Sequence, residues 1–364
     1  MIPVASPERD IAPIRKEIES VIQRVLLRGN YILGDEVKNF EQAFARYLGA
    51  GYAIGVGSGT DALFLSLKES GIGPGEEVIL PALTAIPTAV AVIMTLAVPV
   101  FADVDEKSLT ISIDAVKSLI TERTRAIVPV HLYGNPANME GLCALADSHG
   151  LVLVEDASQA HGASYSGRKV GTFGHTGCFS FYPTKNLGAL GDGGMIVTSH
   201  EEKARRIQML RDYGRKERDL FILRGINSRL DELQAGILNV RLNYLEKNNR
   251  RRREIAKRYR EAFKGTGVLI PEESGDAESA YHLFVARIRA RDRFRKHLMD
   301  QGIDTAVHYP SAVCDQPVFQ EYAGKSDIPV TRKVLEEIVS LPMFPALTDS
   351  EVEKVINAVK NFGA

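Results

Sequence analysis

Lys185 stands inside FSFYPTKNLGALGDGGMIVT, four residues beyond the apolar CFSF and just before a chain of glycines. An amine held in an apolar, glycine-lined pocket loses solvation of its charged form, so its pKa falls and it becomes a nucleophile. Such lysines form Schiff bases with carbonyl compounds, pyridoxal phosphate among them. For one lysine taken alone, a loop residue snorkelling to solvent is the ordinary alternative. Two further clusters bear on the choice. GVGSGTDAL (residues 55–63) follows a β-rich run and opens a helical pattern. Backbone N–H groups at a helix start, with glycines permitting close approach, make an anion site. A tight turn with Thr60 as helix cap fits the same residues. VEDASQAHGA (residues 154–163) puts Glu155 and Asp156 at the end of an apolar strand. Ligands gather at the carboxyl ends of parallel strands, and strand geometry sends these two side chains to opposite faces. A carboxylate is rarely buried there unless something positive pairs with it. A helix cap or a loop ion pair is the competing reading, and His161 reads as a structural histidine. Pyridoxal phosphate needs an amine for its aldehyde, a cradle for its phosphate and an acid for its ring nitrogen. The sequence offers all three, in the order cradle, acid, lysine.

Other chemistries find no support. Thr60 occupies the place of the last glycine in a dinucleotide fingerprint, and the sole Gly-Lys-Ser, residues 324–326, has Phe319 where a P-loop needs glycine. HEEKA at His200 lacks the second histidine of a zinc helix, and no G-x-S-x-G elbow occurs.

The elements that must position these residues are legible from patterning. Residues 52–56, 77–81, 98–104, 126–134, 151–158, 178–181 and 194–198 read as strands, with amphipathic stretches between most of them. Continuous apolar strands separated by helices predict a mostly parallel sheet sandwiched by helices. Only a glycine loop joins residues 178–181 to 194–198, so an antiparallel member fits there. AVAVIMTLAVPVFA, interrupted by Pro99, predicts a buried helix running into a strand and is too short to span a bilayer. From Arg229 onward an uninterrupted pattern predicts one long helix, then a smaller C-terminal α+β domain. The expected division is 1–250 for a large cofactor-binding domain and 251–364 for the small one.

The 364 residues, 45% hydrophobic and 25% charged, suit a soluble globular chain of this size. A net charge of −1 gives no field that draws nucleic acid or membrane. The basic run NNRRRREIAKRYR (residues 248–260) reads as a solvated helix face. Cys143, Cys178 and Cys314 are widely spaced, which suits a reducing cytoplasm. The N-terminus does not read as a signal peptide.

Several long motifs in order now carry a resemblance: GNYILGDEVKNFEQAFARYLGA, GSGTDALFLSL, GPGEEVILPALT, AIVPVHLYGNPANM, the whole of residues 154–196, GINSRLDELQAGIL and TAVHYP. The chain resembles the sugar aminotransferases of the DegT/DnrJ/EryC1/StrS group, within the fold type I pyridoxal-phosphate enzymes. The resemblance implies an α/β aminotransferase fold and a reaction. An amino group would pass from an amino acid, glutamate, to a keto group of a nucleotide-linked sugar. The form of NSRLDELQA is more similar to enzymes of 3-oxo sugars than of 4-oxo sugars; the latter, and a cofactor-binding regulator, are the alternatives. Sugar dehydratases of the same fold carry histidine in place of Lys185. By resemblance Lys185 would hold the cofactor as a Schiff base and shuttle protons, Asp156 would pair with the ring nitrogen, and Gln159 would contact the ring near its 3-hydroxyl. Gly59, Thr60 and Ser180 would bind phosphate, and Asn227 would reach the phosphate of a neighbouring subunit, which implies a homodimer with shared sites. Arg229, His308 and Tyr309 would face the substrate. Two positions depart from the pattern. Ala85 stands where members often place an aromatic ring that stacks on the cofactor, leaving that contact to Ile86 or a rearranged neighbour. Cys314 stands where many have histidine beside the substrate.

Overall fold

The structure is a computed structural model that describes residues 1–324 and 327–363. Lys325 and Ser326, of the Gly-Lys-Ser noted above, lie outside the described residues. Seven strands form the central sheet: β1 (Tyr52–Val56), β2 (Glu77–Pro81), β3 (Val98–Ala102), β4 (Thr124–Ile127), β5 (Val152–Asp156), β6 (Thr176–Ser180) and β7 (Gly194–Thr198). Their order is β1-β7-β6-β5-β4-β2-β3. The pairs from β6 through β3 are parallel. β7 runs antiparallel to both β6 and β1, as the short glycine loop before it requires. The expected strand over 126–134 stops at Ile127, because Pro129 has no N–H to give a ladder, and the chain then makes a 3-10 turn at Leu132–Gly134.

Both faces of the sheet are covered, which explains the continuous apolar runs. Along β2, Val78 and Leu80 enter one core while Ile79 enters the other. The first core includes α1 (Gly59–Glu69) and α2 (Ile86–Met94); the second is built on Phe40, Phe44, Phe179 and Phe181. The expected buried helix is α2, but its ends are not buried: Ile86 and Met94 are each 43% exposed, and only the Thr88, Ala89, Ala91 and Val92 side faces inward.

The long helix is α3 (Glu232–Ala262). Its last turns join a third core with Phe284, Phe294 and Phe344. There the antiparallel pair β8 (Phe284–Arg287) and β9 (Ile338–Leu341) lies. The basic run is not the simply solvated face expected of it. Arg252 is 4% exposed and donates to the carbonyls of Tyr281, His282 and Met343. Burial pushes its pKa down to about 10. Asn249, also buried, accepts from Asn186 and donates to the His161 carbonyl, tying α3 to the loops after β5 and β6.

Candidate functional site

The N-terminus of α1 meets the ends of β6 and β7. The cap is Ser58, whose hydroxyl accepts from the Asp61 N–H at 3.1 Å, and not Thr60, which lies within the first turn. Glycine is demanded here by close approach. A Cβ on Gly59 would meet the Cβ of Ser180 at 2.7 Å, and one on Gly194 would meet the Ser58 carbonyl oxygen at 2.2 Å. Ser228 braces the turn from behind: it accepts from the Gly57 N–H at 2.9 Å and donates to Asp61 at 2.8 Å.

At the end of β5 the two carboxylates part as strand geometry requires. Glu155 is turned into the scaffold and satisfied there. It accepts from the N–H groups of Gly171, Phe173 and Gly174 at 2.7, 2.6 and 2.7 Å, and contacts His131 Nε2 at 3.1 Å. His131 Nδ1 accepts from the Ala137 N–H, so the proton is on Nε2 and points at Glu155. Asp156 faces the opposite way. Its Oδ2 accepts from the Thr88 hydroxyl at 2.9 Å and its Oδ1 from the Ser158 N–H at 3.1 Å.

Lys185 follows β6 in a turn closed by its own N–H to the Tyr182 carbonyl, 2.9 Å. Among the described residues its amine has no hydrogen bond or ion pair. Burial pushes its pKa down to about 8, and the Asp156 carboxylate opposes that fall. Gln159 is pinned at both ends: its Oε1 accepts from the Tyr133 N–H at 2.8 Å and its Nε2 donates to the Tyr309 hydroxyl at 3.0 Å.

A cavity of about 320 Å³ brings the three motifs together. Gly59, Thr60, Asp156, Gln159, Ser180 and Lys185 all line it. Its wall also includes Ser58, Thr84, Thr88, Val130, Ser158, Tyr182 and Asp192, which sequence reasoning misses as site residues. Thr84 lies in the bend before α2 and Thr88 in its first turn, so no helical period in the sequence links the two. Ala85 and Pro87 line the cavity, while the Ile86 side chain is 43% exposed at the start of α2.

The residues present fit pyridoxal phosphate. A helix N-terminus held open by glycines suits the phosphate, an unpartnered amine suits the aldehyde, and a carboxylate with one donor on each oxygen suits a protonated ring nitrogen. The remaining expected residues lie off the wall of this cavity. Asn227 is exposed, in a backbone bridge with Asp212. Arg229 pairs with Asp212 at 2.9 Å. His308 Nδ1 contacts Ser340 Oγ at 2.8 Å, and burial, then Lys185, lower its pKa. Tyr309 reaches the site through Gln159, its hydroxyl pushed up to about 12 by burial. Cys314 is buried, with its thiol pushed up to about 11. His161 packs on Phe179 and Phe181; burial and the Lys185 charge push it down to about 3, so it stays neutral.

A family model described as the DegT/DnrJ/EryC1/StrS aminotransferase family matches residues 12–360. The chain is 44% identical over 351 residues to dTDP-3-amino-3,4,6-trideoxy-alpha-D-glucose transaminase of Streptomyces venezuelae, covering 96% of this chain and 93% of that one. It is 43% identical to dTDP-3-amino-3,6-dideoxy-alpha-D-galactopyranose transaminase of Aneurinibacillus thermoaerophilus, over the full length of both. The crystal structure of S. venezuelae DesV superposes with a TM-score of 0.97 at 43% identity, covering 100% of this chain and 98% of that one.

Proposed function

This chain belongs to the DegT/DnrJ/EryC1/StrS aminotransferase family, and we propose that it transfers the amino group of L-glutamate to a keto group at C3 of a nucleotide-linked hexose. As a member of that family it is a pyridoxal 5'-phosphate-dependent aminotransferase. When bound, the cofactor supplies an aldehyde and an electron-withdrawing ring. The chain supplies the rest. Lys185, its amine more readily deprotonated because burial lowers its pKa, is the nucleophile that holds the cofactor and afterwards moves the proton at the reacting carbon. Asp156 keeps the ring nitrogen protonated. Gln159, with its amide orientation fixed by Tyr133, presents a donor beside the ring hydroxyl. Gly59, Thr60 and Ser180 hold the phosphate. Asn227, exposed and away from this chain's own cavity, serves the phosphate site of a second copy in a homodimer; Arg229, His308 and Tyr309 bind substrate. In the same reading the cofactor site belongs to a domain over residues 1–250, a smaller domain over 251–364 borders the sugar, and the enzyme works in the cytoplasm.

The observation that carries this reading is the Lys185 amine, unpartnered among the described residues, in one cavity with the α1 N-terminus and the Asp156 carboxylate. The choice of C3 is supported by the 3-amino sugars in the names of both relatives above. Purified protein with added pyridoxal phosphate should show a visible band that glutamate bleaches and that Lys185→Ala does not form. Restoration of the band by 3-oxo but not 4-oxo nucleotide sugars identifies the acceptor. A band indifferent to glutamate and to loss of Lys185 would sink the reading, and restoration by 4-oxo sugars alone would move the position. No helix among the described residues is long and apolar enough to cross a membrane.

A further inference from the structure

Behind the carboxylate that faces the cavity lies a short relay of buried hydroxyls. Thr88, Thr84 and Asp156 are 1%, 2% and 4% exposed. An ionised carboxylate only accepts, so the single hydroxyl proton of Thr88 goes to Asp156 Oδ2, 2.9 Å away. The Thr88 oxygen is then the acceptor in its 3.1 Å contact with Thr84, and the Thr84 hydroxyl is the donor. Both bonds therefore have a fixed direction, from Thr84 to Thr88 to Asp156, and each polarises the next. The Ser158 N–H holds the other carboxylate oxygen at 3.1 Å. One donor on each oxygen fixes the plane of the carboxylate and leaves lone pairs on both for a ligand. Thr88 can do this because it sits in the first turn of α2, whose inner face points at the end of β5.

We propose that Thr88, itself oriented by Thr84, is a positioning residue that fixes the plane of the Asp156 carboxylate and aims it at the ring nitrogen of the cofactor. The inference rests on the cofactor reading given above. A threonine buried only for packing is replaced by valine at little cost, because the shapes match; a threonine needed as a donor is not.

The test compares Thr88→Val, which removes the donor and keeps the shape, with Thr88→Ser, which keeps the donor and loses a methyl group. Melting of each apoprotein confirms folding, and the visible band of the pyridoxal phosphate complex is recorded before kinetics. Thr88→Val should bind the cofactor with an altered band, and its kcat should fall about ten- to hundredfold, the range expected for losing a hydrogen bond to a charged group. KM for the amino donor should stay within about threefold of wild type, and Thr88→Ser should restore both band and kcat to a similar margin. Thr84→Val should give a smaller loss, about three- to tenfold. A Thr88→Val protein with the wild-type band and kcat overturns the proposal. Should Thr88→Val not fold, Thr84→Val decides: unchanged band and kcat there overturn it. If wild type itself gives no band with pyridoxal phosphate, the cofactor reading fails and this proposal with it; if wild type is active and the variants match it, only this proposal fails.

Discussion

Uptake of pyridoxal phosphate by the apoprotein should rise with pH and level off near pH 8, because the attacking group is the neutral amine of Lys185, with a pKa pushed down to about 8. At pH 7 such an amine is ~10% neutral, whereas a lysine at the ordinary value is ~0.03% neutral, a ratio of ~300. The perturbation is therefore twofold: pH, and Asp156→Ala. The carboxylate of Asp156 opposes the burial effect, so its removal should move the break to lower pH while abolishing most transamination. The assay is stopped-flow absorbance of the visible band as apoprotein meets cofactor, from pH 6 to about 11.5, a span that brackets both values. Dividing each rate by that of a simple alkylamine at the same pH, first corrected for the alkylamine's own neutral fraction, cancels the ionisations of the cofactor itself. The reasoning is refuted if the rate climbs through pH 10 without a break, or if Asp156→Ala moves the break upward. The same shift has a stability consequence. A lysine whose folded pKa lies below its unfolded value is protonated more readily when unfolded. Its contribution to apoprotein stability is in full above the unfolded value of 10.5 and is lost as pH falls through about 8. Thermal melting of Lys185→Met should lack that part of the pH dependence.

Other sites give sharper structural expectations. Gly59→Ala forces a Cβ to 2.7 Å from that of Ser180; cofactor affinity should fall at least tenfold, about 1.4 kcal/mol, in an absorbance titration, and wild-type affinity would refute the cradle assignment. Glu155→Gln leaves three N–H donors without a charged acceptor; urea denaturation should show a loss of about 2–4 kcal/mol, and a loss below 1 kcal/mol would show that the loop is held otherwise. Arg252→Ala strands three buried carbonyls and should cost about 3 kcal/mol in the same assay, whereas a solvated arginine would cost under 0.5 kcal/mol.

The parallel sheet and the three cofactor-type motifs are legible in the sequence because each is a local pattern: continuous apolar runs for two-sided strands, glycines where backbone must come close, one lysine after a strand. Strand lengths are less so, since Pro129 ends β4 while the apolar run continues. The nature of the basic run in α3 is not legible at all, because its period as a helix is the same whether Arg252 meets water or three carbonyls.

What the sequence by itself determined is which chemical groups are available and in what order: Gly59 and Thr60, then Asp156 and Gln159, then Lys185. It also determined that Glu155 and Asp156 point to opposite faces, since a strand alternates whatever surrounds it. Only the tertiary structure decided which of the two carboxylates faces the cavity. That depended on the loop over residues 171–174 and His131 saturating Glu155. It decided, too, that Thr88 and not Ile86 turns inward from α2, and that the Lys185 amine has no hydrogen-bond partner among the described residues. Burial and pairing are sums over groups far apart in the chain, and a pKa near 8 for Lys185 exists only once that sum is made.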